Sequence, residues 1–288
     1  MNYHFPVLST TVLKAFDPQA GQIIFDCTLG HAGHTLEFLR RQATVYALEA
    51  DPHNLTLAVN RIKSHKLTKN FHPILGNFTN LKTIFTKKQL PQADFLFADL
   101  GLSLNQQSQS GYGFSFHDDA SLDMRLNPKK QSLTAEEIVN TWDRDQLYQI
   151  FTKYAQEKLA RPLAYEIVKK RQQQPFKNAA QLAQVISDYY QKKHYRSRLH
   201  PATKIFLALR ITVNNEFENL ESLLNNSLTI VKKGGTVGII SFHSGEDRLV
   251  KKFILKHKLS SQKYLPDHQE CLRNPPSRSA VFRTYLIP

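Results

Sequence analysis

Cysteine is nearly missing from this chain: 288 residues hold two, Cys27 and Cys271. Two such residues build neither a disulfide framework nor a zinc set, which excludes small secreted scaffolds and metal-stapled folds. His31, His34, His200 and His243 do not supply metal-ligand spacing either, so no metal site is expected. No apolar run approaches the roughly 20 residues of a membrane span. The opening Met-Asn-Tyr-His-Phe-Pro lacks the basic and apolar regions of a secretory signal. A reducing cytoplasm is the expected location. Acidic residues are scarce as well, 24 against 38 Lys and Arg, for a formal net charge of +14. That deficit points to a polyanionic partner, nucleic acid first, with a generally basic solvated surface as the plain alternative.

What remains is ordinary globular material. Hydrophobic residues make up 41% and aromatics 10%, enough for a real core. The stretch Ile23 to Leu39 organises the rest. Ile23 to Phe25 end in Asp26, a turn carries Gly30 and Gly33, and Leu36 and Leu39 follow at helical spacing. This reads as strand, glycine turn and helix, a place where backbone can approach a nucleotide-like ligand. About twenty residues on, Val45 to Leu48 end in Glu49 and Asp51, the distance at which a carboxylate grips a ribose. The pattern Thr28-x-Gly30-x-x-Gly33 lacks the third glycine of the dinucleotide fingerprint, so S-adenosylmethionine fits better than NAD. A plain βαβ unit with tight turns is the competing reading.

Further strands are expected at Phe71 to Leu75, before Gly76-Asn77-Phe78, and at Phe95 to Ala98, before Asp99-Leu100-Gly101. Alternating strands and helices imply a parallel sheet whose ligands sit beyond the carboxyl ends of the strands. Asp26, Glu49 with Asp51, Asn77-Phe78 and Asp99 all lie at those ends. After Ser103 the character changes. A Gln/Ser-rich stretch and Gly111-Tyr112-Gly113-Phe114 lead to helical periodicity from Thr134 to about Tyr190, with Thr134-x-x-Glu137 resembling a capping box. This segment ends in Tyr189, Tyr190, Lys192, Lys193, His194, Tyr195, Arg196 and Arg198, suited to base stacking and phosphate contact, or to a solvated helix end. The α/β pattern then resumes. A helix opens at His200-Pro201-Ala202-Thr203, Lys232-Lys233-Gly234-Gly235 turns into a strand from Thr236 to Phe242, and Ala280 to Ile287 close the chain as a strand.

Several blocks stand in one order: Asp26 to Thr35; Asp99-Leu100-Gly101-Leu102-Ser103 with Gln106; Gly113-Phe114-Ser115-Phe116; Leu122-Asp123-Met124-Arg125; His200-Pro201-Ala202-Thr203 with Asn214; Ser241-Phe242-His243-Ser244 with Glu246-Asp247-Arg248; and Arg278-Ser279-Ala280. Together they resemble the bacterial small-subunit ribosomal RNA cytosine-N4 methyltransferase family, the MraW or RsmH family, over essentially the whole chain. The resemblance implies a class I, Rossmann-like methyltransferase sheet, an α/β fold, with a helical insertion. On that division 1–104 and 201–288 form the core, and 105–200 the insertion that recognises RNA. It implies S-adenosylmethionine as methyl donor and the exocyclic N4 of a decoding-region cytidine as acceptor, on free rRNA or the assembled small subunit. The implied cofactor positions are Ala32, Gly33, His34, Asp51, Phe78, Asp99 and Gln106.

Where many amino-methyltransferases carry Asp/Asn-Pro-Pro-aromatic, this chain reads Asp99-Leu100-Gly101-Leu102. Asp99 is the expected acceptor for the amine hydrogens, with Ser241 and His243 as helpers; a structural turn is the other reading of His243, and the favoured one of His200. Arg125, Arg196, Arg198, Arg210, Lys251 and Lys252 are the expected phosphate contacts. Relatives usually have glycine where Cys27 and Ala32 stand. Cys27 is expected to add bulk near the ligand, and Ala32 to be harmless provided its backbone is not left-handed. Methylation of another RNA or a protein, and a non-catalytic RNA-binding module, are the rival functions.

Overall fold

The computed structural model describes residues 5–101, 111–116, 121–129, 131–196 and 199–288. The chain divides into two compact units, Met1–Gly101 with Phe217–Pro288, and Leu102–Glu216.

The first unit is a seven-stranded sheet. Its strands are β1 (Ile23–Asp26), β2 (Thr44–Glu49), β3 (Phe71–Leu75), β4 (Ala93–Asp99), β5 (Val231–Ser241), β6 (Ser261–Tyr264) and β7 (Val281–Leu286). They lie in the order β3-β2-β1-β4-β5-β7-β6. β1 to β5 are parallel, and β7 pairs antiparallel with both β5 and β6. Alternation along the strands sends side chains to two faces, and both are buried, as parallel sheets require. Ile24, Phe95, Phe97 and Ile240 pack in one apolar cluster, while Phe25, Leu96, Ala98, Val237 and Ile239 pack in another. Helices α1 (Ser9–Phe16), α2 (Gly33–Arg40) and α3 (Pro52–Ser64) contribute to the first cluster.

Two details differ from the sequence expectation. β5 starts at Val231, ahead of the glycine pair. A register shift lets Ala93 pair with Val231 and Phe95 with Thr236, so residues 232–235 loop out without ending the strand. The edge strand β6 is new: Ser-Gln-Lys-Tyr is mostly exposed and offers no apolar alternation to read.

The second unit is helical over α4 (Ala135–Thr141), α5 (Arg144–Lys153), α6 (Ala160–Gln173), α7 (Ala179–Lys192) and α8 (Thr203–Asn214). Thr134 caps α4 by accepting from Glu137 N at 3.1 Å, but the full reciprocal box is at Asp143 and Gln146. The sequence reading ends the insertion at 200 and gives α8 to the core. Instead Ile205, Phe206, Ala208 and Leu209 are buried in the same apolar cluster as Leu163, Ile167, Leu182 and Ile186, so α8 belongs to the helical unit. Its periodicity showed a buried face but not which core that face would join.

Candidate functional site

The turn after β1 is held by side chains at both ends. Asp26, 1% exposed, accepts from Thr35 Oγ1 at 2.6 Å and Thr28 N at 3.0 Å. Burial raises the pKa of its carboxyl above the ordinary range, and these bonds pull against that rise. Thr28 in turn receives Asp99 N on its Oγ1 at 2.7 Å, which fixes the end of β4 against the turn. Leu29 N donates to Leu48 O at 2.9 Å, and Gly30 N donates to Glu49 Oε2 at 2.9 Å.

Ala32 has φ 62 and ψ 26, the left-handed conformation, so the condition under which alanine is harmless at this position is not met. An L-residue carries about 1–2 kcal/mol of strain in this region, which glycine avoids. Gly33 then opens α2, and a Cβ there would meet Pro6 Cβ at 3.0 Å. The small residue is thus needed for the N-terminal segment to lie against the turn. Cys27, 3% exposed, packs in the cluster with Phe25 and Leu48, and burial pushes its thiol well above the ordinary cysteine range. Its bulk goes into the sheet core.

The carboxylates after β2 have separate work. Both oxygens of Glu49 accept backbone N–H groups, Oε2 from Gly30 and Oε1 from Asp51 at 3.0 Å. Burial raises its pKa to about 7, against the lowering effect of those bonds. Asp51 is more open: Oδ1 accepts from His53 N at 2.8 Å as the N-cap of α3. Phe78 is half-buried at the start of the short turn Phe78–Asn80, and Asn77 caps that turn through Thr79 N.

At the end of β4, His34 Nε2 lies 3.5 Å from Asp99 Oδ2, and the His34 ring leans on Phe97 with centroids 4.6 Å apart. Asp99 Oδ1 and His34 Nε2 are buried without a hydrogen-bond partner among the described residues. Orphaned polar atoms at the mouth of a glycine turn are what a polar ligand would satisfy. Next to Asp99, Leu100 N donates to Ile240 O at 2.9 Å. Gly101, at φ +124, faces the Phe242 ring, whose nearest atom would be 3.2 Å from an added Cβ. This brings Asp99 level with the end of β5, where Ser241 is 2% exposed. His243 is the N-cap of the helix Ser244–Lys256, its Nδ1 accepting from Glu246 N at 3.4 Å, while Glu246 receives Phe242 N at 2.9 Å.

Of the sequence-predicted residues, His34 and Asp99 meet, with Ala32 and Gly33 leading into the same turn. Asp51 and Phe78 follow the next two strands, and Ser241 and His243 the neighbouring one. Gln106 lies outside the described residues, as does Arg198. The residues missed were Thr28, Thr35 and Asp26 as ties of the turn; an Asp-x-Thr pattern leaving a strand was the available signal. Among the expected phosphate contacts, Arg125 is committed to Asp123 at 2.7 and 2.8 Å and Arg210 to Glu216 at 2.8 and 2.9 Å. Arg196, Lys251 and Lys252 are exposed.

A sheet in this order, its seventh strand antiparallel, a glycine turn after the first strand and carboxylates after the second and fourth, defines a class I S-adenosylmethionine-dependent methyltransferase. Within that class, the profile of the MraW methylase family matches residues 1–268, and the chain belongs to this family. It is 36% identical over 284 residues to a ribosomal RNA small subunit methyltransferase H of Deinococcus deserti, covering 97% of this chain and 92% of the relative. The enzyme of the same name from Deinococcus radiodurans is 35% identical, with 97% and 88% covered. That of Persephonella marina is 34% identical, with 97% of each covered.

Proposed function

We propose that the protein methylates the exocyclic N4 of a cytidine in the decoding region of small-subunit rRNA. The observation that carries this is the buried Asp99 Oδ1 at the end of β4, without a partner among the described residues and beside the turn after β1. S-adenosylmethionine, when bound, supplies a methyl group on a sulfonium leaving group. Ala32, Gly33 and His34 would hold its methionine end and Asp51 its ribose, since both Glu49 oxygens are already occupied by backbone. Phe78 would cover the adenine, and Gln106 completes the set.

A cytosine amine is a weak nucleophile because its lone pair is delocalised into the ring. Asp99 would accept from the amine hydrogens, aligning the nitrogen and stabilising the positive charge that develops on it. One proton must then leave that nitrogen, and Asp99 would accept it. Ser241 and His243 would assist from the end of β5, His243 chiefly by shaping the turn it caps. The helical unit would recognise RNA. Arg196, Lys251 and Lys252 would meet phosphates, whereas Arg125 and Arg210 drop out because each already serves a carboxylate. A substrate in the small ribosomal subunit would have the enzyme act in the cytoplasm.

The test is labelled-methyl transfer to small subunits lacking the modification, beside naked rRNA, with mapping by mass spectrometry. One N4-methylated cytidine in the decoding region is expected, and the better substrate form dates the step in assembly. Transfer to another position, or to protein, would overturn the reading.

A further inference from the structure

A hollow of about 670 Å³ opens in the helical unit beyond the end of α7. Its lining grades from buried to open. Tyr190 is 4% exposed, Tyr195 is 39% exposed and meets the Tyr190 ring edge-on at 5.4 Å, and His194 and Arg196 are exposed. The amides of Gln184 and Gln191 line it as well, and His200 closes one side, its ring stacked on Phe116 at 4.3 Å and 9°. No carboxylate is part of the lining among the described residues, but two lie behind it: Asp188 Oδ1 accepts from Gln184 Nε2 at 2.7 Å, and Glu157 is hydrogen-bonded to Tyr190.

Aromatic faces suit a planar base, the Gln191 amide can pair with its edge, and cations at the open side suit a phosphate. The size lies in the range of small-ligand sites, ample for one nucleotide. A free small anion would not use the aromatic floor, and an acidic peptide would not use the stacked rings. We propose that this hollow is a subsite for one unpaired nucleotide of single-stranded RNA, distinct from the methylation site. The enzyme thereby grips its RNA at a second base while the target cytidine is at Asp99. The proposal rests on the reading of the chain as an RNA methyltransferase.

The experiment uses the full chain, a fluorescent single-stranded RNA of about ten nucleotides, and three variants: Tyr195→Ala, Tyr195→Phe and Arg196→Ala. Both positions are exposed, so folding is expected to survive, and calorimetric S-adenosylmethionine binding checks it. Tyr195→Ala is expected to weaken RNA binding about tenfold, the loss of one stacking contact. Tyr195→Phe retains the π-face and is expected to bind like the parent. Arg196→Ala is expected to lower the salt slope by about one phosphate contact. In methyl transfer, Tyr195→Ala should raise the KM for RNA and leave kcat. Parent-like RNA affinity and KM in Tyr195→Ala, while transfer proceeds, would overturn the subsite and leave the proposed reaction standing. If the parent methylates no RNA but Tyr195→Ala still weakens oligonucleotide binding, the reaction falls and the subsite stands.

Discussion

His34 Nε2, at the start of α2, lies 3.5 Å from Asp99 Oδ2, at the end of β4. Among the described residues Asp99 Oδ1 is left buried and unsatisfied, while Thr28 Oγ1 holds the Asp99 backbone N–H. An acceptor fixed in this way needs no rearrangement to meet an amine, which is the basis of its expected catalytic weight.

Replacing that acceptor tests it. Asp99→Asn keeps the shape but converts one acceptor oxygen to a donor. The expected loss in kcat is about 100-fold or more, larger than the loss in cofactor affinity measured by calorimetry. An unchanged kcat would remove Asp99 from the chemistry.

Thr28→Val is close to isosteric and removes the acceptor of Asp99 N. An unsatisfied buried N–H destabilises by about 1–3 kcal/mol, to be read by urea denaturation. Because the same bond orients Asp99, kcat should fall too. A stability loss with kcat intact would confine Thr28 to a structural role.

Glu49 predicts a pH signature. Its folded pKa of about 7 exceeds the ordinary value of 4.5, so the folded state binds the proton more tightly than the unfolded chain. The resulting stabilisation is fully present below 4.5 and is lost as pH rises through about 7. The stability difference between the parent and Glu49→Gln should therefore favour the parent more at about pH 5 than at about pH 8. Denaturation curves at both pH values check this, and a constant difference would contradict it.

Ala32→Gly releases the left-handed strain at 32 but loosens the unfolded chain. The net expected gain is about 0.5–1 kcal/mol, with cofactor binding kept. Ala32→Val, a β-branched residue at φ 62, should destabilise instead. Thermal melts of the two variants should move in opposite directions.

The strand ends were legible because each apolar run stops at a polar residue: Asp26, Glu49 and Asp99 were visible as the ends of strands before any strand was paired. The helical insertion was legible from its periodicity and caps. β6 was not, since an exposed edge strand needs no apolar alternation. Nor was the membership of α8, because a buried helical face does not name its partner.

The sequence by itself determined the order of elements, the position of the glycine turn and the family, all of which rest on local pattern and residue identity. Tertiary structure decided the division of labour among like groups. Glu49 binds backbone and Asp51 remains open, Cys27 faces the core, Arg125 and Arg210 are consumed by neighbouring carboxylates, and Ala32 carries a left-handed backbone. Those outcomes depend on which donors and acceptors lie within about 3 Å of one another, and a linear pattern of residue types does not contain that distance.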